Sequence, residues 1–210
     1  FPVQPRLPTR LQRLAALGLL LVVVQIALGG WVSANYAALA CTDVPLCQGQ
    51  WWPDADFANG FHLTQHIGPN YLGGKLDSEA RTAIHLTHRV GAMLVAVSLL
   101  SLAWQLKKVG LKGMAMLLAT AVAVQIGLGI SNVLFHLPLV TAVAHNAGGA
   151  ALMLSVVMIN YRVRRVGYRI SSGTGFSREE AGTYTASLST RLPSSRLKPV
   201  PQGLHHDHTH

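Results

Sequence analysis

Four apolar blocks, each about as long as a lipid bilayer is thick, constrain this chain more than anything else in its sequence. The first, Leu14 to Ala34, holds no charged residue. The second runs from about Ile84 to Leu106, with His85, His88 and Arg89 in its first turns. The third is Met114 to Leu134 and the fourth Val140 to Tyr161. A helix rises about 1.5 Å per residue, so some 20 residues cross a hydrocarbon core of roughly 30 Å. Lipid cannot satisfy a bare N–H or C=O, which leaves helices or a closed barrel, and the blocks lack a barrel's alternation. The expected fold is all-α: four transmembrane helices, as two pseudo-symmetric hairpins in an antiparallel four-helix bundle. Composition agrees. Hydrophobic residues make up 50% of the 210 and charged ones 12%, with a mean hydropathy of +0.34. A soluble domain carries about 25% charged residues, and a disordered chain is more polar still.

The net charge of +9 does not point to nucleic acid, because the basic residues flank the apolar blocks. Arg6, Arg10 and Arg13 precede the first block, Lys107, Lys108 and Lys112 separate the second from the third, and Arg162, Arg164, Arg165 and Arg169 follow the fourth. The opposite side has Lys75, Arg81 and Arg89. The positive-inside rule then places both termini in the cytoplasm, with the loop from Asn35 to Thr82 and the turn from Phe135 to Leu139 facing outward. Trp31 and Trp104 fall near the two boundaries, where interfacial anchors sit against lipid. The chain thus divides into a cytoplasmic segment 1–13, a membrane domain 14–166 and a cytoplasmic tail 167–210. The tail is rich in Ser, Thr, Gly and Arg and is expected to be disordered, with its closing LHHDHTH a solvated polar end. Because the first residue is Phe1 rather than Met, the expectation is a fragment or a processed product.

The outer loop holds both cysteines, Cys41 and Cys47, and the aromatics Trp51, Trp52, Phe57, Phe61 and Tyr71. That is too aromatic for a solvated linker, so part of it reads as a lid or an interfacial helix lying on the bundle. On this topology the cysteines face an oxidising compartment, where a disulfide closing a small loop is the simplest reading and a redox or cofactor-handling role the other. Their spacing is neither the CxxC of thiol oxidoreductases nor the CxxCH of c-type cytochromes.

The blocks also repeat. VVVQIALGG (Val22 to Gly30) matches VAVQIGLGI (Val122 to Ile130), pairing Gln25 with Gln125, Leu28 with Leu128 and Gly29 with Gly129. HRVGAML from His88 matches HNAGGAALML from His145. Each hairpin therefore contributes a Gln and a small-residue face from its first helix and a His from the outer end of its second. The small residues serve close helix packing, or make room for a flat macrocycle. A lone intramembrane His commonly bonds a neighbouring helix. Two in matched repeat positions, at one depth, suit the two axial sites of a haem iron. His85 lies one turn before His88 and is an accessory candidate, orienting the site, moving protons or sitting beside a propionate. Arg89 suits a haem propionate at the outer boundary, or a snorkelling charge. His62, His66 and His136 read as surface histidines, and no Cys/His group has zinc spacing.

LGGWVSANYAALACTDVPLCQGQWWP, then AIHLTHRVGAML, then VAHNAGGAALML, together resemble the haem A synthase family, bacterial enzymes of cytochrome oxidase assembly and their mitochondrial relatives. The resemblance covers about Leu14 to Val166. It implies an eight-span architecture of two similar halves, of which this chain looks like the C-terminal one. His85 stands where the other half typically has a glutamate. The resemblance implies a haem b held by His88 and His145, a disulfide-linked pair at Cys41 and Cys47, and residence in the bacterial inner membrane. The implied reaction is oxidation of a ring methyl of haem O to a formyl group, with oxygen from water and electrons passing to an acceptor such as a quinone. Haem O synthase and further copies of the chain are the implied protein partners, and the isolated half is expected to be a weak enzyme at best. Two other readings use the same residues: a membrane b-type cytochrome relaying electrons to or from a quinone, and a haem-free scaffold or transporter.

Overall fold

In the computed structural model, residues 7–62 and 76–171 are described, with side chains as far as 164. The described part is all-helical, with helices α1 (Thr9–Ala34), α2 (Phe57–Gly60), α3 (Ser78–Lys108), α4 (Lys112–Leu134) and α5 (Leu139–Ser171). Four of them, α1, α3, α4 and α5, are long and apolar enough to cross a membrane. Each starts at or before the first residue of its apolar block. Polar flanks such as Ser78–Ala83 have no reason to stop a helix, which ends where chain geometry ends it. The expectations for residues 1–6, His66, Tyr71, Lys75 and the tail beyond Ser171 fall outside the described residues.

Three helix ends share one device. After α1, Tyr36 turns into the left-handed region, and the N–H groups of Tyr36 and Ala37 return to Ser33 O and Val32 O at 3.3 and 3.0 Å. After α3, Gly110 does the same, with Leu111 N–H donating to Leu106 O at 2.9 Å. After α4, His136 turns and Leu137 N–H reaches Asn132 O at 2.7 Å. These paired bonds satisfy carbonyls that a helix end otherwise leaves bare.

α3 packs against both α1 and α4. α5 meets α4 through a bond from the Gln125 amide to His145 O, and α1 through one from the Asn160 amide to Ala15 O. The helices therefore form a ring in the order α1, α3, α4, α5. The repeat partners α1 and α4 lie diagonally across the ring, and so do α3 and α5. At the end flanked by basic residues the interior is a closed apolar core: Leu11 and Ala15, Leu99, Leu102 and Leu106, Leu118, and Val156, Ile159 and Val163 interdigitate from all four helices. Toward the other end, the inward positions of α1 and α4 are Gln and Gly, and those of α3 and α5 are His and Gly. The core does not continue there, and His88 and His145 are half-buried.

Candidate functional site

The repeat read from the sequence is a repeat of contacts. In the first hairpin the Gln25 amide donates to the main-chain O of His88 at 2.9 Å. In the second the Gln125 amide donates to His145 O at 3.0 Å. A Cβ on Gly29 would lie 3.3 Å from Cε1 of His88, and one on Gly129 3.2 Å from Cε1 of His145. A Cβ on Gly91 would collide with the Gln25 amide oxygen, and one on Gly148 with that of Gln125. Burial follows the same register: positions 21–30 and 121–130 alternate between inside and outside identically. His88 and His145 thus occupy equivalent places on diagonal helices. Among the described residues no group of three or more His, Cys, Asp or Glu is arranged to hold a metal ion. Of the side chains in this repeated contact set, the two imidazoles are the ones that could ligate a metal.

Sequence reasoning did not single out Gly91 and Gly148. Their signal was the shared H-x-x-G at the start of both second helices. Each glycine leaves the space that its glutamine fills.

The structure places His85 and Arg89 differently from His88. His85 is 5% exposed, and its Nδ1 accepts the Cys41 N–H at 3.3 Å. The Arg89 guanidinium donates to Leu46 O, Cys41 O and Asp43 O at 2.8, 3.1 and 2.9 Å. Both side chains therefore hold the outer loop on α3. Thr82 joins them, accepting from the Gln48 amide at 3.1 Å. Thr82, His85, Leu86 and Arg89 follow the three-and-four spacing of one helix face.

The loop fits that face as a closed unit. A disulfide joins Cys41 to Cys47, and both sulfurs pack with Leu86. The carboxylate of Asp43 accepts N–H bonds from Gln48 and Gly49 at 2.7 and 2.8 Å. These, the Gly49 bond foremost, hold its carboxyl below the ordinary 3.8, with the nearby Arg89 charge adding to the effect. Further along, the Asp56 side chain caps α2 by accepting from Asn59 N–H at 3.0 Å, which lowers its carboxyl too. Trp31 Nε1 donates to Gly60 O at 2.9 Å, so α2 also lies on the bundle. His62 and His136 lie away from the histidine pair, His136 in the turn after α4. Trp104 is exposed, with Lys108 Nζ 3.5 Å above its ring.

Comparison with known proteins agrees with this architecture. Residues 2–157 match the family described as COX15-CtaA, cytochrome oxidase assembly protein. Over 149 residues the chain is 47% identical to a protein of Shewanella oneidensis named Heme A synthase, covering 70% of this chain and 45% of that one. Heme A synthases of Maricaulis maris and Caulobacter vibrioides are each 34% identical, over 75% and 78% of this chain and 45% of theirs. The chain thus spans less than half the length of these relatives. No solved structure matches it. With its family match covering most of the chain and its four spans in place, the chain belongs to the haem A synthase family of cytochrome oxidase assembly proteins.

Proposed function

We propose that this chain is the haem b-binding, C-terminal half of a haem A synthase, with His88 and His145 as the two axial ligands of one haem. The observation that carries the reading is the repeated Gln–His–Gly contact set, which gives two imidazoles on diagonal helices the same surroundings. The residues suit a porphyrin in three further ways. Gly29 and Gly129 let each imidazole lie against the neighbouring helix. Nδ1 of His145 is buried with no partner. The apolar core stops short of this level, where filling it with side chains would leave no space for a flat group. The bound haem would supply one-electron transfer. The chain's own work is to fix the imidazoles, keep water from the iron and close the outer face with the disulfide loop. Arg89 has N–H donors beyond those spent on the loop, and these are available to a propionate.

The substrate in this reading is haem O. Its ring methyl and a water become a formyl group, and four electrons and four protons leave, the electrons to a quinone or another acceptor. Catalysis on the methyl falls largely to the other half of the enzyme, which haem O synthase supplies with substrate. The basic flanks support an inner-membrane orientation with both termini cytoplasmic.

The test is the visible spectrum of the purified protein loaded with haem. A low-spin, paired-imidazole spectrum that both His88→Ala and His145→Ala abolish is the expected result. Spectra unchanged in both variants would reject the ligand assignment. Haem O conversion by the full-length enzyme, lost with these residues, separates a synthase from a cytochrome that only relays electrons.

A further inference from the structure

Around the two histidines, the glutamine and glycine contacts of the hairpins match except at the rings. Each glutamine amide donates to the carbonyl of its histidine, at 2.9 Å for Gln25 and 3.0 Å for Gln125. Only Gln25 also reaches the ring: its amide nitrogen lies 3.0 Å from Nδ1 and 3.4 Å from Nε2 of His88. At the second site Gln125 stops at the carbonyl, and Nδ1 of His145 is buried without a partner. The amide oxygens of both glutamines are buried without partners too.

A helical carbonyl already accepts from the N–H four residues on, so the glutamine bond is not needed to satisfy it. What the bond does is tie the histidine's turn to the neighbouring helix. The glycine opposite is required because the amide occupies the place its Cβ would take. In lipid, where apolar contacts give little driving force between helices, such a polar tie fixes rotation and height.

From this we infer that Gln25 and Gln125 are positioning residues for the two axial histidines, and that Gln25 alone also sets the orientation and hydrogen bonding of its ring, making the two ligands inequivalent. The inference rests on the proposed ligation by His88 and His145. Groups that bond a metal-bound imidazole orient it and tune its basicity, and their loss commonly weakens metal binding by roughly 10–100-fold.

The experiment uses the haem-loaded protein and the variants Gln25→Met and Gln125→Met, which keep side-chain length and remove the amide. Circular dichroism and thermal melting of each apoprotein check folding. Haem affinity, the midpoint potential and the low-spin electron paramagnetic resonance spectrum are then measured. Gln25→Met should lose affinity by roughly 10–100-fold, and Gln125→Met, which frees only the helix turn, should lose less. Only Gln25→Met should shift the resonance g values and the potential. Gly91→Ala should weaken haem binding beside Gln25, and should add nothing to the loss already caused by Gln25→Ala, which vacates the space. Equal spectral shifts in the two Met variants would overturn the inequivalence. Wild-type affinity, g values and potential in both would overturn the positioning role while leaving histidine ligation standing. If the wild-type spectrum is not that of paired imidazoles, or His88→Ala and His145→Ala leave it unchanged, ligation itself fails and the inference with it.

Discussion

At the scale of single residues, the outer loop shows how a few polar groups hold an irregular segment against a helix. Asp43 gathers two N–H groups inside the loop, and Arg89 gathers three carbonyls between the loop and α3. Because folding lowers the Asp43 pKa, its stabilising effect is complete above the ordinary carboxylate value of 3.8 and is lost as pH falls through the lower folded value. The loop should therefore protect its disulfide from a phosphine reductant at neutral pH and lose that protection only in acid below 3.8. Asp43→Ala should speed reduction several-fold at neutral pH and abolish the acid step. An unchanged rate in the variant would show that Arg89 and His85 hold the loop alone. The histidine pair and the cysteine pair were legible in the sequence because they stand in a repeat or a short motif. The roles of His85 and Arg89 were not, since their partners lie more than forty residues away along the chain and only the folded loop brings them close.

At the scale of elements, hydropathy located the spans but not their ends. α1 and α4 stop through Tyr36 and His136 in left-handed backbone, at the same register of the repeat. A side chain there costs about 1–2 kcal/mol relative to glycine. Tyr36→Gly and His136→Gly should each raise stability by about 1 kcal/mol in detergent unfolding titrations, less any contact the side chain makes. Gly60 is the opposite case. A Cβ there would lie 2.8 Å from Ala80 O, so Gly60→Ala must push α2 off α3. Quenching of the Trp31 fluorescence, whose indole N–H is bonded to Gly60 O, should change in that variant while overall helicity does not. An expectation of some helical cover over the bundle could be drawn from the loop's aromatics. Its location could not, because α2 has only 4 residues and owes its place to the Trp31 bond and the Asp56 cap.

For the whole molecule, the division of labour runs along the membrane normal, with a dense aliphatic core at the basic end and a glycine-lined, histidine-bearing level above it. Leu99 is fully buried in that core, and a Cβ on Gly18 would lie 2.9 Å from its side chain. Leu99→Ala should cost about 2 kcal/mol, the low end for buried leucines because lipid competes with the protein for apolar surface. Unfolding titrations read it, and a cost near zero would mean that the core relaxes around the gap. The proposed orientation predicts that a membrane-impermeant thiol reagent on intact cells labels Asp54→Cys and not Lys112→Cys, and the reverse pattern would invert the topology. The sequence by itself determined the number of spans, the helical class and the pairing of Gln25 with Gln125 and His88 with His145, because hydropathy and repetition are local properties of the chain. Only the tertiary structure decided that the paired helices stand diagonally, that glycines at 91 and 148 accommodate the glutamines, that one ring is held and the other is not, and that His85 and Arg89 serve the loop. Those outcomes depend on which faces four near-identical apolar helices present to one another, and a pattern of hydropathy shared by all four cannot choose among them.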